Sequence, residues 1–135
     1  MNLIEVTFEV PGEVPRKVGP KYNGRWVYIP QDTKALRKRI ATQARKALKG
    51  FVVKQLTSVY MDWVTKQPRG ERPDADTLYH QVQDALTKDA FKIDDNGVHE
   101  FCVSRVDVQP GEGQKPKLLI QAGYECEEQK KIRKG

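Results

Sequence analysis

Pro73-Asp74-Ala75-Asp76-Thr77-Leu78-Tyr79-His80-Gln81-Val82-Gln83-Asp84-Ala85-Leu86 is the stretch on which the fold of this chain turns. Wound into a helix at roughly 100° per residue, Leu78, Val82, Ala85 and Leu86 form an apolar stripe, and Asp76, His80 and Asp84 form a titratable stripe almost opposite. The spacing predicts a helix that turns its apolar face to a sheet and its acids outward. Asp74 lies just before the helix, where the N-terminal amides and the dipole favour anions. An acidic pair, Asp94-Asp95, returns beyond the helix and is followed by Asn96-Gly97.

Each piece has a plain structural explanation. Asp74 or Asp76 suits a helix cap, Asp94-Asp95-Asn96-Gly97 suits a tight turn, and His80 suits a surface position. Gathered together they point elsewhere, because neighbouring carboxylates repel one another unless a cation neutralises them. Hard oxygen donors of this kind suit Mg²⁺, which keeps several of its waters and binds a phosphate oxygen. Ca²⁺ in an EF-hand is a poor alternative, since the spacing around Asp94 is not that of the loop.

Upstream, Leu3 to Val10 reads as a strand with Ile4, Val6, Phe8 and Val10 on one face, ended by Pro11-Gly12. Pro11 to Lys21 reads as an extended basic loop, and Arg25 to Ile29 as a short second strand closed by Pro30. Asp32-Thr33 offers an N-cap to a helix whose apolar positions are Leu36, Ile40, Ala44, Ala47 and Leu48, ended by Gly50. The outer face of that helix carries Lys34, Arg37, Lys38, Arg45 and Lys46, either as a solvated face or as a track for phosphates. Val52 to Val64 is β-rich with Val59, Met61 and Trp63 on one face, and Lys66 to Arg72 is a polar loop leading to the first acids. Val98 to Val108 and Lys117 to Tyr124 read as two last strands joined in a hairpin through Pro110-Gly111-Glu112-Gly113. The expected fold is thus a single α+β domain in the order β-β-α-β-α-β-β, a mixed sheet packed against two helices. It spans 1–126, with a charged, frayed tail over 127–135.

A chain of 135 residues is long enough to bury one core. Its first dozen residues lack the basic start and apolar run of a signal peptide, and no segment approaches the roughly 20 apolar residues of a membrane span. The expectation is a protein without a membrane, in the cytoplasm. Cys102 and Cys126 have no second Cys or His at metal-site spacing, so they read as half-buried residues of two late strands. The net charge of +6 is unevenly spread. Residues 1–70 hold 14 Lys and Arg against 5 Asp and Glu, whereas 71–100 hold 3 against 8. A basic body around an acidic pocket suits a polyanion that must approach a bound cation.

The acidic stretch resembles the RusA family of Holliday junction resolvases, phage and prophage endonucleases that cut four-way DNA junctions. The similarity lies in Pro73-Asp74-Ala75-Asp76-Thr77-Leu78, then Asp84-Ala85-Leu86, then Phe91-Lys92-Ile93-Asp94-Asp95. It extends to Phe8-Glu9-Val10-Pro11-Gly12, Pro15, Gly24, Trp26-Val27-Tyr28 and Pro30. The resemblance implies that Asp74, Asp76 and Asp95 are an essential acidic triad binding Mg²⁺, with Mn²⁺ as a substitute, and that Asp94 tunes or shares the metal. It implies a homodimer with two symmetric sites that resolves four-way or branched DNA by paired nicks, with no small-molecule cofactor, in a bacterial cell and encoded by a phage or prophage.

Two positions depart from the family pattern: Thr77 replaces an Asn, and His80 replaces a Lys one turn past the second acid. As a catalytic residue, His80 would serve only when protonated or as a hydrogen-bond donor. That departure keeps open an alternative, a junction-DNA-binding protein of the same fold with weak or no cleavage. For DNA contact the candidates are Arg16, Lys17, Lys21, Arg69 and Arg72, with Tyr79 a candidate to stack on bases and Trp63 better suited to the core.

Overall fold

The computed structural model describes residues 2–109 and 111–128. Strand β1 (Asn2–Pro11) buries Val6 and Val10, with Ile4 and Phe8 packed against them, on the face its alternation predicts. Two short strands, β2 (Lys21–Tyr22) and β3 (Val27–Tyr28), pair only with each other in a separate antiparallel ribbon. The strand expected over 25–29 shrinks accordingly. The Asn23 side chain accepts the amides of Arg25 at 2.9 Å and Trp26 at 3.1 Å, which draws those residues into the ribbon's turn.

Helix α1 (Gln31–Ala47) starts directly after Pro30, two residues earlier than an Asp32 cap would place it, and Asp32 bonds only the amide of its neighbour Thr33. Leu36, Ile40, Ala41 and Ala44 face the core. Strand β4 (Phe51–Thr65) sends Val59, Met61 and Trp63 to the same core. Helix α2 (Ala75–Asp84) continues into a π-helical segment, Ala85–Asp89, and its whole apolar stripe of Leu78, Val82, Ala85 and Leu86 is buried. The wide turn has a visible support: the Tyr124 hydroxyl donates to the Leu86 carbonyl at 2.9 Å, and the Thr87 hydroxyl to that of Gln83 at 2.8 Å. Lys92, with φ of 54°, then carries the chain out of the helix.

Strands β5 (Glu100–Asp107) and β6 (Lys117–Glu128) complete a mixed four-stranded sheet in the order β1-β6-β4-β5. The expected hairpin between the last two strands does not form, because β4 lies between them, antiparallel to β6 and parallel to β5. Burial explains the placement. β6 hides Leu118, Ile120, Ala122, Tyr124 and Cys126 and takes the sheet's interior, whereas β5 is exposed along most of its length and takes an edge. Pro110, within the expected hairpin loop, lies outside the described residues. A parallel neighbour needs a crossover, and α2 supplies it.

The chain is therefore a single α+β domain with a mixed sheet and two helices. Its core fills the space between both helices and one sheet face. Leu3 and Tyr60 stand exposed beside Glu125 on the opposite face. β6 runs through Glu128, two residues into the expected tail, and 129–135 lie outside the described residues. Cys126 is buried, which pushes its thiol up, while Cys102 on the edge strand is exposed rather than half-buried. Among the described residues no helix is long and apolar enough to cross a membrane.

Candidate functional site

The stretch expected as a loose basic loop is tied down at several points. Val14 and Val18 sink into the core. Glu13 accepts the Thr65 hydroxyl at 2.8 Å and the Lys66 amide at 2.6 Å, and Gln67 donates to the Val14 carbonyl at 2.6 Å. Gly19 approaches α2 so closely that a Cβ there would lie 3.0 Å from Thr77 Cγ2. These anchors hold the segment against the first turn of α2.

A pocket of about 510 Å³ opens where the two meet, lined among others by Arg16, Lys17, Lys21, Arg72, Asp74 and Thr77. Four of the five cations expected to contact DNA thus converge on the first residue of the acidic set. Arg69, in the short 3-10 turn Arg69–Glu71, is exposed and does not line the pocket. Arg72 is a wall rather than a reaching arm: its side chain is only 7% exposed and bonds Asp107 at the end of β5. That bond holds the Asp107 carboxyl below its usual value. Arg16 lies 3.6 Å from Glu71, a pair open to solvent on both sides.

Asp74 occupies the N-cap position of α2 yet makes no side-chain capping bond, so its carboxylate is not spent on the helix. Asp76 is exposed in the first turn. Asp94 and Asp95 divide in role. Asp94 accepts the Asn96 amide at 3.1 Å, the plain turn function, while Asp95 reaches back to α2 and accepts from Gln83 Nε2 at 2.7 Å. Gln83 in turn accepts the Tyr79 hydroxyl at 2.6 Å. Tyr79 is buried and stacked on Phe101, with centroids 4.4 Å apart. Burial first, and the Asp95 charge second, push its hydroxyl up to about 12, so it remains a neutral donor.

Asp76 and Gln83 share a helix face but stand seven residues apart, about 10 Å along the axis. Among the described residues no three His, Cys, Asp or Glu side chains are grouped to hold a metal ion. The donor chemistry of Asp74, Asp76 and Asp95, all hard carboxylate oxygens, fits Mg²⁺. Gln83 engages only Oδ2 of Asp95, which leaves the other oxygen for a cation. His80 is exposed on the outward stripe, its ring centroid 6.0 Å from that of Tyr79. Asp84, expected on the same stripe, is drawn aside by Lys88 at 3.5 Å and Arg37 at 3.9 Å.

Two cations of α1 likewise turn inward. Arg37 grips Asp89 through two bonds of 2.7 and 2.8 Å, and Arg45 bonds the Asp89 carbonyl at 3.0 Å. Arg37 is half-buried there, whereas Arg45 stays exposed. Tyr79, at 3% exposure, has no face open to stack on a base, and Trp63, at 1%, is core as its strand pattern implied. Gln83 escaped notice in the sequence, although its spacing, four residues past Tyr79 and seven past Asp76, was there to be read. Compared with known proteins, the sequence matches no family model and no curated protein.

Proposed function

We propose that the chain is a Mg²⁺-dependent, structure-selective endodeoxyribonuclease that resolves four-way DNA junctions by paired symmetric nicks, acting as a homodimer of RusA-like domains. The observation that carries this is the pocket in which Arg16, Lys17, Lys21 and Arg72 meet Asp74 at the start of α2. Basic side chains there would seat the phosphate backbone, and the carboxylates beside them would keep that backbone out unless a cation were bound. The sequence resemblance supplies the junction specificity and the dimer. Asp74, Asp76 and Asp95 would hold the ion, with Asp94 kept in its turn. Mg²⁺ bound there would activate a water for in-line attack and offset the charge gathering on phosphorus. Lys17 and Lys21 orient the strand, and His80 donates a hydrogen bond or a positive charge towards the scissile phosphate. The products carry 5′-phosphate and 3′-hydroxyl ends.

One observation favours a second reading, a junction binder that cuts weakly: Gln83 holds Asp95 Oδ2 at 2.7 Å, and among the described residues Asp95 is not grouped with Asp74 and Asp76. A labelled four-way junction and a matched linear duplex, each incubated with Mg²⁺ or with EDTA, separate the two. Symmetric Mg²⁺-dependent nicks in the junction alone are expected of the nuclease, and Asp76→Asn abolishes them while junction binding persists. Undiminished cutting by Asp76→Asn would overturn the site. Junction binding by the wild type with no cutting selects the binder, and cleavage gained on His80→Lys would trace the loss to that position.

A further inference from the structure

The ribbon of β2 and β3 leaves uncovered the side chains that a small domain ordinarily hides. Tyr22 is 69% exposed, Trp26 59%, Val27 66% and Tyr28 40%. Scattered apolar residues on a surface are ordinary, but four within seven residues of one ribbon are not. The turn holding them is well fixed: Asn23 bonds two amides through its side chain, its own amide donates to the Trp26 carbonyl at 3.2 Å, and Gly24 supplies the positive φ of 94°. Pairing puts Lys21 and Tyr28 on one side of the ribbon and Tyr22 and Val27 on the other, with Trp26 in the turn next to β3. Lys21 also lines the basic pocket, so the side that carries Tyr28 adjoins it. Arg25 at the tip and Arg16 and Lys17 in the pocket wall add positive charge, against which the acids nearby in the pocket are Asp74 and Glu71, the latter paired with Arg16.

We infer that this ribbon is a stacking platform for unpaired bases of branched DNA, which it holds while the adjoining strand lies in the basic pocket. Aromatic side chains beside a positively charged channel are the general means of holding single-stranded nucleic acid, because every base offers a face and every linkage a negative charge. The fixed turn presents the rings already ordered, so little freedom is lost on binding. Charge complementarity and continuity with the pocket favour nucleic acid over a second copy of this basic ribbon, which would set Lys21 and Arg25 against their like. The inference rests on the nucleic-acid part of the proposed function and is independent of cleavage.

The test is intrinsic fluorescence of the full chain in EDTA, titrated with oligodeoxythymidine, a four-way junction and a matched blunt duplex. Trp63 is buried, so Trp26 reports the ribbon. Oligodeoxythymidine and the junction are expected to quench emission and the duplex to leave it nearly unchanged. Trp26→Ala and Tyr28→Ala each weaken junction and single-strand binding about tenfold with little effect on duplex, and Trp26→Phe restores most of the loss. Absence of quenching, junction affinity unchanged in both alanine variants, or a concentration-dependent dimer that Trp26→Ala dissociates would each overturn the inference. If Asp76→Asn still cuts while quenching occurs, only the cleavage site falls. If the alanine variants bind as wild type while Asp76→Asn is inactive, only the ribbon falls.

Discussion

Gln83 decides what Asp95 does in the absence of a cation. Its amide donates to Asp95 and its carbonyl accepts from Tyr79, so replacement by Leu would leave a buried hydroxyl with no partner at a cost of about 1–2 kcal/mol, measurable by urea denaturation. The same variant releases Asp95, and Mg²⁺ affinity measured by calorimetry is expected to rise; a fall would show that Gln83 holds Asp95 in its binding position. Tyr79 gives a signed pH effect. Its hydroxyl is raised from 10.0 to about 12 in the folded chain, so its contribution is complete below pH 10 and is lost as pH climbs towards 12. Tyr79→Phe is therefore expected to cost about 1 kcal/mol near neutrality, with the gap to wild type narrowing between pH 10 and 12 in denaturant midpoints. Asp74, Asp76 and Asp95 stood out in the sequence by residue type and order alone. Which partner Asp95 takes did not, because that depends on a loop folding back along α2 past Lys92.

Among the elements, the helices were the most legible and the strand partners the least. The stripe Leu78, Val82, Ala85, Leu86 is fully buried as its spacing required, since a helix's periodicity is local. The π-helical segment inside that same run has no local signature; it is held by Tyr124, 38 residues away along the chain. Tyr124→Phe removes the donor to the Leu86 carbonyl and is expected to destabilise by about 1–3 kcal/mol in chemical denaturation; a neutral result would mean that the wide turn needs no such support. The pairing of β5 with β4 rather than β6 was equally hidden, because a turn-like sequence at 111–113 signals reversal of the chain but not which strand it meets. The basic segment after β1 reads as loop by its prolines and glycines, while its two anchors, Val14 and Val18, are too few to make a pattern.

For the molecule as a whole, the charge imbalance of the sequence becomes a cleft in which cations from the N-terminal third meet acids from the centre. Junction affinity is accordingly expected to fall steeply with salt, and replacing both Arg16 and Lys17 by Ala to reduce the slope of log affinity against log salt by about 2. An unchanged slope would remove both residues from the interface. The two thiols offer a global probe: Cys102 reacts with a thiol reagent at once, Cys126 only as fast as the domain opens. The position of β6 has a further consequence for how such a molecule comes into being. The last of the described strands is an inner one, bonded on both sides to strands made long before it. A ribosome-bound chain that has not yet released 117–128 has β1 with no strand to join and β4 with only β5, so the domain must wait, open and exposed to chaperones and proteases, until that segment emerges.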